Sequence, residues 1–172
     1  MLEKIIENTS NYIDSMPKKE RKKYGQFFTS IETARYMAEL FDIPQNQDKI
    51  SILDAGAGSG ILSCAMIERL EKIETISNIE VVCYEIDKNV LPLLQKNLEI
   101  ASEFSSKSVN IIIKEDNYIL SQYLDFNHMI NANFNPAKYD IVIGNPPYMK
   151  ISKDAPEAKA MSGICYGAPN MY

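Results

Sequence analysis

Residues 50–62 read Ile50-Ser51-Ile52-Leu53-Asp54-Ala55-Gly56-Ala57-Gly58-Ser59-Gly60-Ile61-Leu62, and this stretch decides the fold. A short apolar run passes into three alternating glycines and then into an apolar segment over 61–70, the order strand, tight turn, helix. The alternation repeats downstream. A second strand is expected over 79–84, followed by a helix carrying Val90, Leu91, Leu94, Leu98 and Ala101; Pro92 fits that helix if Asn89 caps it and the proline falls in the first turn. A third strand is expected over 109–113 and a fourth over 139–143. Strands this apolar, separated by helices, imply an α/β fold: a doubly wound parallel sheet covered on both faces, with right-handed crossovers. Upstream, Leu2, Ile5, Ile6, Thr9, Tyr12, Ile13 and Met16 recur at helical spacing until Pro17. Thr29-Ser30-Ile31-Glu32 reads as a capping box opening a second helix, with Ala34, Met37, Ala38 and Phe41 on one face.

Composition narrows the function without naming it. The 172 residues are 45% hydrophobic and 24% charged, enough for one globular domain with a real core. A net charge of −5 argues against a surface that grips nucleic acid over its whole extent. The run Lys18-Lys19-Glu20-Arg21-Lys22-Lys23 is the local exception, and such a run is more often a solvated helix face or linker than a contact. No apolar stretch approaches a membrane span and Met1-Leu2-Glu3-Lys4 opens no signal peptide, so a cytoplasmic protein with no membrane partner is expected. Cys64 and Cys83 sit in apolar runs as buried thiols, Cys165 lacks a CxxC partner, and His128 lacks ligand-type neighbours. Neither a metal site nor a disulfide framework is expected.

In such a sheet, ligands bind outside the carboxyl ends of the strands. The first strand delivers Asp54, then Gly56, Gly58 and Gly60, where the missing side chains let backbone N–H groups approach a ligand before a helix N-terminus. Ile61 stands where a dinucleotide fingerprint has its last glycine, and Asp54 disfavours a pyrophosphate; an aspartate suits a ligand carrying an ammonium and a sulfonium. A tight turn with no ligand explains the glycines equally well. The second strand ends in Glu85-Ile86-Asp87, where a carboxylate can accept two ribose hydroxyls and Ile86 can pack on adenine. The third leads to Glu115-Asp116-Asn117, where Asp116 can accept an adenine amino group. The fourth ends in Gly144-Asn145-Pro146-Pro147-Tyr148. Its two prolines stiffen the backbone and remove two N–H groups, Asn145 adds a side-chain carbonyl, and Tyr148 offers a flat face for stacking.

Those residues together resemble a known family. The segments 54–60 and 145–148 are similar to motifs I and IV of S-adenosylmethionine-dependent amino-methyltransferases, and Tyr24-Gly25-Gln26-Phe27-Phe28-Thr29-Ser30 resembles motif X of the gamma-class adenine-N6 DNA methyltransferases. Motif X precedes motif I here, as in that class, and Tyr166-Gly167-Ala168-Pro169-Asn170-Met171-Tyr172 resembles the opening of motif V. Two positions depart from the common pattern: Ser30 where many members have proline, and Ala55 where motif I often has proline. Neither removes a group the reaction needs. The resemblance implies a Rossmann-like sheet truncated after the fourth strand, with an N-terminal helical segment over 1–45, a partial methyltransferase domain over 46–172 and no target recognition domain.

The resemblance also implies the chemistry. S-adenosyl-L-methionine is the expected cofactor, held by Thr29, Asp54, Gly56, Gly58, Glu85, Ile86, Asp116 and Asn145. The expected partner is double-stranded DNA with a flipped adenine, together with a specificity or nuclease domain or subunit. Asn145 and the Pro146 carbonyl are expected to accept the two hydrogens of the adenine N6 amine, and Tyr148 to stack on the base. Glutamine-N5 methyltransferases of release factors share the Asn-Pro-Pro-Tyr element but usually carry a helical N-terminal substrate domain and no motif X of this form. Ribosomal RNA adenine is a further alternative substrate, and a non-catalytic cofactor- or DNA-binding subunit is the alternative from a different class.

Overall fold

The computed structural model describes residues 1–17, 29–44, 46–122, 138–146 and 150–162. Along them run helix α1 (Leu2–Ser15), helix α2 (Ile31–Glu39), strand β1 (Lys49–Ala55), helix α3 (Ile61–Leu70), strand β2 (Asn78–Tyr84), helix α4 (Leu91–Phe104), strand β3 (Ser108–Lys114), strand β4 (Ile141–Ile143) and a short helix α5 (Pro156–Ala160). The strands form one parallel sheet in the order β3-β2-β1-β4. The chain steps outward from β1 to β2 and β3, then returns to the other side of β1. The carboxyl edge between β1 and β4 is therefore the switch point, where crevices open in such sheets.

Alternation within the strands sets the core. Ile50 and Ile52 of β1, Ile79, Val81 and Cys83 of β2, and Ile141 and Ile143 of β4 face one layer of buried residues contributed by α1, α2, α3 and α4. Leu53, Val82 and Tyr84 face the opposite side, where Tyr118 and Tyr139 pack on them. Helix α3 is apolar nearly all round and correspondingly buried. Helix α1 belongs to the same core, since Leu2 and Ile5 are fully buried against it. Among the described residues no helix is long and apolar enough to cross a membrane.

Among the departures from expectation, three have a clear local reason. The fourth strand begins at Ile141, not at 139, because the Asp140 carboxylate takes the Ser51 N–H (2.8 Å), which a ladder would otherwise pair, along with the Ser51 hydroxyl (2.7 Å). Ser30, rather than Thr29, caps α2, its hydroxyl accepting the Thr33 N–H at 3.2 Å. Asn89 does not cap α4: Asp87 Oδ1 accepts both its N–H and its side-chain amide, so that turn leads into a helix capped at Val90, with Pro92 in the first turn as expected. The basic run at 18–23, motif X over 24–28, His128, Tyr148, Cys165 and the motif V segment lie outside the described residues.

Candidate active site

The turn after β1 is shaped by its glycines and tied down on three sides. Gly56 and Gly58 adopt φ of +102° and +54°, in the left-handed half of backbone space, and a Cβ on either would meet nothing within 4 Å. Gly60 differs: a Cβ there would stand 2.7 Å from Leu94 Cδ1, so its bareness serves packing against α4. The first tie is to β2, whose Tyr84 carbonyl accepts the N–H of Gly56 and of Ala57, both at 2.9 Å. The second is Glu85, whose Oε2 accepts the Gly58 N–H at 2.8 Å while Oε1 accepts the N–H groups of Ile86 and Asp87. The third is Asn97, fully buried in α4, whose amide donates to the Ser59 carbonyl at 2.9 Å. Asn97 also reaches α1, through Thr9 Oγ1 and the side-chain amide of Asn8, each at 3.4 Å. A buried amide this far inside an apolar helix face is tolerated because its hydrogen bonds are made.

Asp54 lies beneath this turn, fully buried at the end of β1. Its Oδ2 accepts the Ser63 hydroxyl at 2.8 Å, and Oδ1 has no hydrogen-bond partner among the described residues; Ser59 Oγ is likewise unpartnered. Burial raises the carboxyl to about 7, opposed by the Ser63 hydroxyl and helped by the charge of Glu85. A half-satisfied carboxylate at the floor of an open glycine turn has the chemistry to meet a cationic group, because a facing positive charge would restore its ionised form.

The other expected residues fall along the same edge. Ile86 is 63% exposed beyond β2, free to present an apolar face. Asp116 lies beyond β3, its Oδ1 accepting the N–H of Asn117 at 2.8 Å, and Asn117 in turn donates to Glu157 of α5 at 2.8 Å. On the far side of β1, Ile143 pairs with Asp54, and a Cβ on Gly144 would stand 3.9 Å from the Ala55 carbonyl, so β4 ends beside the glycine turn. Asn145 follows immediately, half-buried, and its Nδ2 donates to Thr29 Oγ1 at 3.1 Å. Thr29, Asp54, Gly56, Gly58 and Asn145 thus converge at the switch point, and Glu85 joins them through Gly58. Tyr148 lies outside the described residues, while Pro146 continues directly from Asn145.

The open space over Gly56 and Gly58, the buried carboxyl of Asp54 beneath it and the exposed Ile86 fit an adenosyl sulfonium whose amino-acid arm carries an ammonium. The family described as N-6 DNA Methylase matches residues 10–162. The chain belongs to this family. As a member of the N-6 DNA methylase family it is similar to the type II methyltransferase M.PstI of Providencia stuartii, 31% identical over 156 residues, covering 88% of this chain and 29% of that one. It is also similar to the ribosomal RNA small subunit methyltransferase A of Fusobacterium nucleatum, 30% identical over 130 residues, covering 76% of this chain and 40% of that one. The chain therefore spans less than half the length of either relative. In fold it is similar to the methyltransferase subunit of a type I restriction-modification system from Streptococcus thermophilus, with a TM-score of 0.52, 19% identity, and coverage of 80% of this chain and 26% of that one.

In this member of the N-6 DNA methylase family, the residues that brace the site are not evident from the sequence pattern. Asn97 was recoverable in principle, as a polar residue between Leu94, Leu98 and Ala101 at a core position. Ser63, the partner of Asp54, left a weaker trace as a hydroxyl in an apolar helix.

Proposed function

We propose that this chain binds S-adenosylmethionine and carries the catalytic acceptors of an adenine-N6 DNA methyltransferase, the modification activity of a restriction-modification system. The observation that carries the proposal is the position of Asn145, at the end of β4 and beside the open glycine turn of β1, within a chain of the N-6 DNA methylase family. In this reading Asp54, Gly56 and Gly58 surround the methionine end of the cofactor and Thr29 lies near it. Glu85 exchanges part of its backbone hydrogen bonding for ribose hydroxyls, and Ile86 and Asp116 meet adenine. When bound, S-adenosylmethionine supplies a methyl group on a positively charged sulfur that leaves as a neutral thioether.

The N6 amine of adenine is a weak nucleophile because its lone pair is delocalised into the ring. Asn145 Oδ1 and the Pro146 carbonyl accept its two hydrogens, which favours a pyramidal nitrogen with its lone pair free, and they stabilise positive charge as it grows there. Both acceptors are neutral amides, so the surplus proton passes to water. Holding the amine in line with the methyl provides most of the remaining acceleration. An adenine inside a duplex cannot reach this edge and must be flipped out, which costs a few kcal/mol of unstacking. Tyr148 stacks on the extruded base and recovers about 1–3 kcal/mol of that. Residues 1–45 carry motif X, residues 46–172 carry the cofactor and acceptor motifs, and recognition of a particular DNA sequence falls to a specificity domain or subunit.

The test is transfer of a tritiated methyl group by the whole protein to three substrates offered separately: duplex DNA, ribosomal RNA and a release factor. Label on adenine N6 of DNA is expected. Label on adenine of RNA alone, or on a glutamine of the release factor, would move the activity to another substrate class. No transfer to any of them would count against catalysis.

A further inference from the structure

We infer that Thr29 is a positioning residue that sorts the amide of Asn145, turning its nitrogen away and its oxygen toward the place where the target amine arrives. The inference rests on the reading of Asn145 as a hydrogen acceptor. An asparagine amide is planar, and its last torsion is broad and nearly two-fold, so an untethered Asn145 would present NH2 and C=O to the crevice in comparable measure. Only the carbonyl can receive a hydrogen from an amine. An NH2 group turned the same way would set donor against donor. The hydrogen bond from Asn145 Nδ2 to Thr29 Oγ1, at 3.1 Å, occupies the nitrogen and thereby fixes where the oxygen points.

Thr29 is well mounted for this task. It directly precedes Ser30, the cap of α2, whose hydroxyl accepts the Thr33 N–H and pairs with the Thr33 hydroxyl. Helix α2 is fixed to α3 by the buried Ala34 and Ala38, and Arg69 of α3 donates to the carbonyls of Ala38 and Phe41 at the far end of the helix. A hydroxyl on such a support can dictate the rotamer of a residue 116 positions away that leaves a three-residue strand. Accepting from Asn145 also leaves the Thr29 hydroxyl hydrogen available to donate elsewhere.

The experiment compares Thr29→Val, which keeps the shape and removes the hydroxyl, with Thr29→Ser, which keeps the hydroxyl, in the whole protein. Single-turnover methyl transfer to duplex DNA is measured at subsaturating and at saturating cofactor, alongside the dissociation constant for S-adenosylhomocysteine and the side-chain amide signals of Asn145 by 15N NMR. Thr29→Val should slow transfer about three- to tenfold, the worth of one hydrogen bond. Its Asn145 amide protons should exchange faster with water, and Thr29→Ser should restore both. A wild-type rate and exchange in Thr29→Val would overturn the inference. So would a Thr29→Ser as slow as Thr29→Val, which would make the γ-methyl packing the cause, or a rate defect that vanishes at saturating cofactor, which would make Thr29 a cofactor contact only. Asn145→Ala in the same assay separates the two levels. If it keeps the wild-type rate, the acceptor role of Asn145 has failed; if it collapses while Thr29→Val does not, only the positioning role has failed.

Discussion

The turn after β1 and the segment after β4 leave the same sheet edge but are held in different ways. The turn is braced by Tyr84, Glu85 and Asn97, which come from β2, the loop beyond it and α4, and Asn97 extends the brace to α1. Asn145, by contrast, is joined to the rest of the described structure by its side-chain bond to Thr29. The half proposed to hold the cofactor is thus braced by several side chains of the core, while the half proposed to hold the base continues from the short β1–β4 ladder and, among the described residues, adds the Thr29 side-chain bond.

The largest expected effect falls on the lightly held side. Asn145→Ala should lower single-turnover methyl transfer at least about 100-fold, as removal of a preorganised transition-state hydrogen-bonding group does elsewhere. It should leave cofactor affinity nearly unchanged, and a parallel loss of that affinity would erase the contrast between the halves. On the braced side, Asn97→Leu strands the buried Ser59 carbonyl and should cost about 1–3 kcal/mol in denaturant unfolding, with weaker S-adenosylhomocysteine binding by calorimetry. Unchanged unfolding would mean the brace carries no weight.

A smaller effect comes from Asp54. Its carboxyl is raised to about 7 in the fold, whereas an unfolded aspartate ionises near 4, so the folded state binds the proton more tightly. The stability this proton contributes is complete below about pH 4 and is lost as pH rises through about 7. Between pH 6 and pH 8 the loss is about 1.4 kcal/mol, and Asp54→Asn should flatten that part of the pH–stability curve. A curve of the same slope in the variant would assign it to other groups. Smallest is Gly58→Ala, expected to cost about 1 kcal/mol of stability through its positive φ. Because the space above Gly58 is open, the methyl should weaken cofactor binding more than the fold, whereas Gly60→Ala, facing Leu94, should do the reverse.

The same contrast explains how much of this molecule its sequence discloses. The strands were legible within two residues because each is a continuous apolar run, and the order of motifs along the chain named the edge where Asp54, Glu85 and Asn145 would meet. Caps were less legible. Asp87 and Asp140 make local side-chain bonds that compete with regular structure, and this moved the cap of α4 and the start of β4. The braces were the least legible. The bond from Asn97 to Ser59 spans 38 positions and that from Asn145 to Thr29 spans 116, and no local pattern encodes a partner so distant.

A titration of the chain with S-adenosylhomocysteine, followed through backbone and side-chain amide NMR signals, tests most directly whether the two halves form one site. Saturable shifts are expected at Gly56, Gly58 and Ile86, with the Asn145 side-chain amide moving at the same ligand concentration. Shifts confined to another part of the molecule, or shifts at the glycine turn that leave Asn145 untouched, would contradict a single site.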